Sequence, residues 1–458
     1  MDTDYDDFIK SKNKSISFPG IEAKNIPDCL FDYQKDITKW ALKRGRAAVF
    51  AGTGLGKTLI ELSWAWEVHK KTGGEVLIFA PLAVSHQIIR ESNKFGMSAS
   101  WASEQNDINH PVSVSNYHKI NKFDLSKFEG IVLDESSILK NETGKYRNDL
   151  ITKTKMIPYR LAATATPAPN DYMELGNHAE FLGIMSYTDM LATFFVHDAA
   201  NTQKWRLKGW AQTPFWEWMS TWAVMLTQPQ DLGYSFHYQL PDLEQIEHII
   251  AVDHSMENTG LLFAMEAESL GERLTARRNS IEERCMEAAK ITKNKNRFVW
   301  WCNLNKESER LCQLIPDAIE VKGADSDESK ERKLNAFSDG KIRVLITKPS
   351  ICGFGMNWQH CDQTGFVGLN DSFEQVYQAI RRFWRFGQEN PVQAHFISAT
   401  TEGSVIANLK RKEKDFEHMQ QSMIDHMADL SKTEIKSAKR TTLDYIPMRK
   451  MEIPIWIQ

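Results

Sequence analysis

Short, nearly continuous apolar runs recur along the chain, and Gly, Pro or Asp bounds most of them. Segments of helical character lie between them. An unbroken apolar strand is typical of a parallel sheet that is covered on both faces, and two separate series of such strands predict two α/β lobes. The first series has AAVFA (47–51), EVLIFA (75–80), GIVLDE (130–135) and YRLAAT (159–164), and the second has RFVWWC (297–302), IRVLIT (342–347) and AHFIS (394–398).

The stretch between the two series has a different composition. Residues 175–245 are rich in Trp and Phe, as in KWRLKGWAQTPFWEWMSTWAVML (204–226), which predicts a helical insertion with its own small core. Near the end of the chain, SVIANLKRKEKDFEHMQQSMIDHMADL (404–430) predicts a long amphipathic helix. The predicted segments are an N-terminal extension with lobe one over 1–174, the insertion and inter-lobe linker over 175–245, lobe two over 246–430 and a tail over 431–458.

Composition narrows the class of protein without naming a function. The chain has 458 residues, 42% hydrophobic and 25% charged, which is typical of a soluble globular protein with two or three domains. Its net charge of −4 gives no overall basic field, although a local basic groove can still bind phosphates. The six cysteines show no CxxC spacing, so we expect neither zinc nor a disulfide framework. The start is unlike a signal peptide and no apolar run approaches the ~20 residues of a membrane span, which predicts a cytoplasmic protein.

The segment AGTGLGKT (51–58) joins an apolar run to a segment of helical character. A glycine-rich loop in this position closes its backbone N–H groups around phosphate oxygens, and the helix N-terminus favours their negative charge. The pattern GxxxxGK[ST] is met except at its first position, Ala51; in it Lys57 reaches the β- and γ-phosphates and Thr58 ligates Mg²⁺. The predicted ATP-binding residues of the loop are Gly52, Thr53, Gly54, Leu55, Gly56, Lys57 and Thr58.

Two carboxylates follow the apolar run of GIVLDESS (130–137). Taken alone, Asp134 and Glu135 would also fit the capped end of a strand without a catalytic role. Together with the phosphate loop upstream they fit a nucleotide hydrolase, in which Asp134 holds Mg²⁺ through water and Glu135 polarises the attacking water.

With these two motifs the chain resembles the superfamily-two helicases, and within them the Swi/Snf-type DNA translocases. The small helicases of phage and prophage genomes look closer still, because they share the Trp-rich insertion and a DESS-like ending. The resemblance implies two RecA-like lobes with an ATP cleft between them. The further matching segments, in order, are FDYQKDITKWAL (31–42), FAPLAVSHQIIRE (79–91), VSNYHKI (114–120), ATATP (163–167), QPQDLGYSFHYQLP (228–241), EVKGADSDESKERKLNAF (320–337), GFGMNW (353–358) and QAIRRFWRFGQ (378–388).

The resemblance implies roles for residues that match the family's motifs. Gln34 would read the adenine, and Gly355 and Asn357 would join the nucleotide site. Tryptophans at helical spacing in the insertion fit a core as well as a binding surface. The implied catalytic residues are Lys57, Glu135, Gln378, Arg382 and Arg385, and the implied nucleic-acid contacts are Ser85, His86 and Asn116. Lys204 and Arg206 are further candidate nucleic-acid contacts, because they are cations that lie beside tryptophans of the insertion.

The arginine-rich segment QAIRRFWRFGQ (378–388) would present two faces if it were helical. At about 100° per residue, Arg382 and Arg385 share a stripe with Gln378 and face the ATP cleft. Phe383 and Trp384 then point the other way, toward a core. The family pattern assigns no role to Arg381. We expect this arginine to contact lobe one or DNA rather than ATP.

One position departs from the family in a way that bears on mechanism. Ser137 stands where the fourth residue of the DExx motif is usually His or Asp, a residue that couples the lobes. Coupling is therefore expected to differ here, while hydrolysis need not be lost.

Together with these motifs, the resemblance implies an ATP-dependent DNA translocase or helicase of a bacterial or phage-infected cell. It would act as a monomer on double-stranded or forked DNA, with ATP and Mg²⁺, alone or beside other DNA-processing proteins. Two alternatives stay open: an RNA helicase, and a nucleotide-bound structural subunit without turnover. The presence of Lys57, Glu135 and Arg385 argues against the second. No nuclease or methyltransferase motif is evident in the sequence.

Overall fold

The structure is a computed structural model. It describes residues 19–23, 26–140, 144–197, 205–235, 240–251, 278–352, 356–369, 372–400 and 403–436. No helix among these residues combines the length and apolar character needed to cross a membrane.

Lobe one is built on a parallel sheet of seven strands. These are β1 (Arg46–Ala51), β2 (Val76–Ala80), β3 (Ser100–Trp101), β4 (Val112–Asn116), β5 (Gly130–Asp134), β6 (Tyr159–Thr164) and β9 (Ala223–Leu226). Their order across the sheet is β3-β4-β2-β5-β6-β1-β9. The four predicted strands of the first series are β1, β2, β5 and β6, so that prediction is confirmed. They are buried almost throughout because helices cover both faces.

The helices of lobe one connect these strands in the manner of α/β units. They are α1 (Asp32–Arg44), α2 (Lys57–Thr72), α3 (Leu82–Lys94) and α4 (Lys145–Thr154). A 3₁₀ turn over Ser136–Lys140 follows β5 directly. Because parallel strands carry their carboxyl ends at one edge of the sheet, the loops after β1, β5 and β6 meet there.

The insertion holds three helices and a small hairpin. They are α5 (Leu175–Leu182), α6 (Tyr187–Phe194), α7 (Gln212–Ser220), β7 (Phe195–His197) and β8 (Trp205–Leu207), and β7 pairs antiparallel with β8. Trp216, Trp218 and Trp222 are buried, so these tryptophans belong to a core rather than to an exposed binding face. After α7 the chain re-enters lobe one as β9, beside β1.

Lobe two is built on a second parallel sheet, of six strands. They are β10 (Leu243–Ile250), β11 (Phe298–Trp301), β12 (Ala318–Glu320), β13 (Val344–Thr347), β14 (Gln363–Phe366) and β15 (Val392–Ala399), in the order β10-β15-β14-β11-β13-β12. The three predicted strands of the second series are β11, β13 and β15, which confirms the two-lobe α/β architecture. The helices are α8 (Ile281–Thr292), α9 (Asn305–Leu314), α10 (Asp327–Ser338), α11 (Pro349–Cys352) and α12 (Phe373–Ile380).

The predicted amphipathic helix is α13, which spans Gly403–Lys436. At about 1.5 Å per residue, its 34 residues extend over roughly 50 Å. The helix begins after β15 of lobe two, contacts α12, and then packs on α7, β9 and α1 of the other lobe. His426 of this helix stacks on Trp216 with the ring planes 7° apart. The helix therefore joins the two lobes on the side of the insertion.

Candidate nucleotide site and inter-lobe cleft

The phosphate loop lies between the end of β1 and the start of α2. Gly54 and Gly56 have φ angles of 88° and 74°, a backbone region that favours glycine, and Gly56 is the N-cap of α2. A Cβ atom on Gly56 would lie 2.2 Å from the side-chain nitrogen of Gln34. The loop is therefore tightly bounded by its neighbours, and only glycine fits at this position.

Lys57 closes the loop from its helical side. Its Nζ donates to the carbonyl oxygens of Ala51 at 2.9 Å and Gly52 at 3.4 Å. Burial lowers the pKa of Lys57, while Glu135, Asp134 and Glu61 oppose that shift. The ammonium group thus lies between the loop and a group of carboxylates, which is where a phosphate would need a cation.

Gln34 is buried against the same loop. Its Nε2 donates to the carbonyl oxygen of Leu55 at 3.0 Å, and its Oε1 accepts from the backbone N–H of Phe31 at 2.9 Å. Tyr33 donates its hydroxyl to the same Leu55 oxygen at 3.0 Å. The sequence-predicted adenine reader therefore contacts the phosphate loop, although its role stays a prediction.

Asp134 and Glu135 end β5 directly opposite this loop. Burial, and next the neighbouring Glu135 carboxylate, raise the pKa of Asp134 to about 7. Glu135 has a φ of 54°, and it is the one non-glycine residue with positive φ in the part of the chain that the structure describes. Its Oε2 accepts from the Thr164 hydroxyl at 3.2 Å. Strained backbone of this kind is held in place by its surroundings and recurs at active sites.

A third carboxylate, Glu61, lies in the same group and was not predicted from the sequence. It is fully buried on α2, and no N–H or hydroxyl group of the described residues donates to either oxygen. Burial, followed by the charge of Asp134, raises the pKa of Glu61 well above its usual value. The signal in the sequence was a single charged residue in the apolar segment LIELSWAW (59–66).

The residues of this site fit a nucleotide with its metal. Thr53 Oγ1 is shielded from solvent and has no hydrogen-bond partner among the described residues, which fits a loop that binds a phosphate. Carboxylate and hydroxyl oxygens are ligands that Mg²⁺ prefers, and the predicted metal residues Thr58 and Asp134 supply these at the start of α2 and the end of β5.

Lobe two brings the arginine-rich segment to the same cleft, but not as the predicted helix. The helix α12 ends at Ile380, and residues 381–387 form turns. The helical arrangement expected through Arg385 is therefore wrong, because tertiary bonds override the local pattern: Trp358 N–H donates to the Arg382 carbonyl, and Trp384 Nε1 donates to the Pro241 carbonyl. Phe383 does lie in the core, as expected.

Gln378 and Arg382 form a buried pair that faces lobe one. The Arg382 Nε donates to the Gln378 carbonyl at 2.9 Å, and its Nη2 donates to the Gln378 side-chain oxygen at 3.1 Å. Gln378 in turn donates through Nε2 to the Thr166 hydroxyl of lobe one at 3.4 Å. Burial lowers the pKa of Arg382, and the charges of Glu135 and Asp134 oppose that shift, so the arginine lies within electrostatic range of both carboxylates.

The next part of the segment lies on the phosphate loop itself. A Cβ atom on Gly54 would lie 3.0 Å from the backbone nitrogen of Phe386 and 3.7 Å from the Cβ of Arg385. Burial, and next the charge of Arg382, lower the pKa of Arg385 to about 9. The two lobes are thus closed on each other at the phosphate loop.

Arg381 has a different environment. Its guanidinium lies over the ring of Trp384 at 4.3 Å and over that of Tyr377 at 5.2 Å, both in lobe two. Two aromatic faces of its own lobe thus hold the cation, and the expectation that Arg381 contacts lobe one or DNA rather than ATP stays a prediction.

A second part of the cleft is a cavity of about 590 Å³ between the lobes. His86 and Asn116 line it, and the Asn116 Oδ1 is buried without a hydrogen-bond partner among the described residues. Ser85 is fully buried and donates its hydroxyl to the Pro81 carbonyl at 3.1 Å. This hydroxyl faces its own helix, and the predicted nucleic-acid contact of Ser85 stays a prediction.

The remaining predicted residues are divided between the cleft and the insertion. Asn357 is half-buried at the cleft, and its Oδ1 lacks a hydrogen-bond partner among the described residues. Arg206 is exposed on β8, in the hairpin of the insertion. Lys204 and Gly355 lie outside the described residues.

Three comparisons relate this chain to known proteins. A family model described as the type III restriction enzyme, res subunit, matches residues 29–169. Protein p41 of Acyrthosiphon pisum secondary endosymbiont phage 1 is 24% identical over 451 residues, covering 80% of this chain and 92% of that protein. The SWI2/SNF2 ATPase core of Sulfolobus solfataricus, solved in complex with dsDNA, is 17% identical with a TM-score of 0.42, covering 91% of this chain and 99% of that chain.

The family-model match covers the phosphate loop, the acidic strand end and the ATATP segment, the parts of lobe one that form the site. The later motifs follow in order on a second parallel sheet that closes the same cleft. Over residues 29–169 the chain is therefore similar to the family of type III restriction enzyme res subunits.

Proposed function

We propose that this protein is a nucleic-acid-dependent ATPase that moves along or remodels DNA. The observation that carries the proposal is the hydrogen-bonded connection between the lobes at the acidic strand end. Glu135 accepts from Thr164, the Thr164 hydroxyl accepts from the N–H of Thr166, and Thr166 accepts from Gln378 of lobe two. These hydrogen bonds connect Glu135, the proposed base for the attacking water, with lobe two, which would supply Arg382 and Arg385.

The phosphate loop and Lys57 would bind the triphosphate of ATP. The backbone N–H groups of residues 53–58 would surround the phosphate oxygens, and Lys57 would exchange its two carbonyl partners for them. Thr58 and Asp134 would hold Mg²⁺, which when bound supplies positive charge at the phosphates. Gln34 would orient the base from its position beside Leu55.

Glu135 would act on the attacking water. Its carboxylate is nearly buried and is held by the Thr164 hydroxyl, so its direction is fixed before substrate binds. General-base assistance of this kind contributes roughly 10²–10⁴ in rate. Arg382 and Arg385 would stabilise negative charge on the transferred phosphoryl group from the side of lobe two.

The inter-lobe cavity is the proposed nucleic-acid site. It is lined from both lobes, by His86 and Asn116 on one side and by Lys330 and Asn335 on the other. Cations and side-chain amides are donors that phosphate oxygens accept from. Arg206 and the exposed Trp210 of the insertion would add a cation and a stacking face outside the cleft.

The test is steady-state ATPase activity with single-stranded DNA, duplex DNA, forked DNA and single-stranded RNA. We expect DNA to stimulate turnover and high salt to weaken that stimulation, because phosphate contacts release counterions. Greater stimulation by RNA than by any DNA would favour the RNA helicase. Absence of ATP turnover under every condition would favour the structural subunit.

A further inference from the structure

We propose that the ion pair between Lys140 and Glu374 is a positioning contact that holds lobe two against the catalytic edge of lobe one. Lys140 ends the 3₁₀ turn Ser136–Lys140 in lobe one, and Glu374 lies in the first turn of α12 in lobe two. The Lys140 Nζ donates to Glu374 Oε2 across 234 positions of the chain. Its effect on turnover rests on the proposed function, whereas its effect on lobe closure does not.

The position of each partner links the pair to catalysis. The 3₁₀ turn that carries Lys140 begins directly after Glu135, so a shift of this turn would be transmitted to the proposed catalytic base. On the other side, Glu374 lies one helical turn before Gln378, on the same helix α12. The ion pair therefore joins the two short elements that present the proposed catalytic groups.

Both oxygens of Glu374 face lobe one. While Oε2 accepts from Lys140, Oε1 lies 3.5 Å from the hydroxyl of Thr166, at the limit of a hydrogen bond. The Thr166 hydroxyl also accepts from Gln378 at 3.4 Å. The Lys140 contact is the one member of this set in which both partners carry a charge, and the other two are long, so we infer that it is the strongest interaction of the three.

Burial makes the pair more consequential than an exposed ion pair. The side chain of Glu374 is 5% exposed, whereas that of Lys140 is 35% exposed. An exposed pair contributes little, but removing the partner of a buried carboxylate leaves that charge without compensation. The closed arrangement keeps the Glu374 carboxylate buried. We therefore expect closure to become unfavourable when Lys140 no longer compensates the charge of this carboxylate.

The pair also borders the inter-lobe cavity. Lys140 and Glu374 both line it, together with Ser137. In a 3₁₀ turn residues three positions apart lie on the same face, so Lys140 follows Ser137 on the cleft side of the turn. The Lys140–Glu374 pair would therefore set the distance between the lobes both at the cavity and beside Glu135.

Charge reversal in the full-length protein tests this proposal. The variants are Lys140→Glu, Glu374→Lys and the combination of both, which restores the pair with opposite polarity. The matched control is Arg310→Glu, which breaks an ion pair with Glu282 that lies within lobe two. Lobe separation is measured by electron spin resonance between labels on exposed Cys29 and on an introduced Lys341→Cys, with half-buried Cys312 replaced by Ser.

We expect each single reversal to broaden the distance distribution and to lower DNA-stimulated kcat about tenfold, with a smaller change in the KM for ATP. The double variant should recover both the distance distribution and most of the rate, and Arg310→Glu should change neither. Rescue by the swapped pair distinguishes a contact between the two residues from a general loss of folding.

Wild-type distances in both single variants would overturn the proposal, and so would a double variant no better than the worse single one. If the distances respond as expected while no polynucleotide stimulates the wild-type ATPase, the positioning contact stands and the proposed function fails.

Discussion

At the scale of single residues, two neighbouring arginines receive different environments. Arg385 lies beside Gly54 of the phosphate loop, whereas the guanidinium of Arg381 is held over Trp384 and Tyr377. The two side chains have the same charge and lie in the same segment, so they form a natural pair for comparison. The sequence predicted different roles for the two arginines but not the aromatic contacts of Arg381, because the turns after Ile380 depend on bonds to Trp358 and Pro241 elsewhere in the chain.

We predict that Arg385→Ala lowers kcat for ATP by about 10³ or more, because it removes a charge placed at the phosphates. Arg381→Ala should lower kcat less than about tenfold, since its aromatic contacts are worth roughly 0.5–2 kcal/mol. Steady-state ATPase assays of both variants decide the matter. Equal losses of basal activity would contradict this division of roles.

At the scale of elements, the phosphate loop is both the proposed nucleotide-binding element and a contact surface for lobe two. Gly54 has a positive φ, and Phe386 lies close to its Cα. A side chain at this position would therefore strain the backbone and also contact Phe386. Gly73, at the other end of α2, has a similar φ of 75° but nothing within 4 Å of an added Cβ.

Gly54→Ala and Gly73→Ala should therefore lose similar stability, about 1–2 kcal/mol, from backbone strain. Only Gly54→Ala should also impair ATP turnover, because its Cβ would push residue 386 away from the loop. Urea unfolding gives the first quantity and ATPase assays give the second. Equal ATPase activity in the two variants would show that the closed contact at Gly54 is unimportant for turnover.

Local elements were predictable where the local pattern was strong. All seven strands predicted from apolar runs exist, and so do the phosphate loop and the long helix α13, because each depends on residues close in sequence. Six further strands of the two sheets were not predicted: β3, β4, β9, β10, β12 and β14. Among them, the edge strand β10 has a largely exposed residue pattern instead of an apolar run. The contacts of Glu61 with Asp134 and of Lys140 with Glu374 have no local signal, since they depend on how separate elements pack.

At the scale of the whole molecule, α13 gives the chain a second connection between its lobes. It leaves lobe two after β15 and packs on α7 and β9 near the far end of its length. Met427 is fully buried there, next in sequence to the His426 that stacks on Trp216. The insertion and the C-terminal helix therefore form one packed unit that joins the lobes away from the cleft.

We predict that Met427→Ala destabilises the protein by about 2–5 kcal/mol, because a buried side chain is replaced by a cavity. The exposed Met286→Ala should change stability by less than about 0.5 kcal/mol. Calorimetry should also show a broader or divided unfolding transition in the first variant, since the lobes lose a shared contact. A single sharp transition at the wild-type temperature would contradict this role of α13.

At the same scale, we propose that ATP hydrolysis in the closed cleft moves the protein along DNA. The most direct test of this proposal is displacement of a labelled third strand from triplex DNA, measured as release of that strand over time. We predict release by the wild-type protein with ATP, none with ADP, and none by Glu135→Gln, which should still bind ATP because Lys57 and the phosphate loop are intact. Failure of the wild-type protein to displace the strand while DNA stimulates its ATPase would contradict translocation, and displacement by Glu135→Gln at the wild-type rate would contradict the role of the carboxylate.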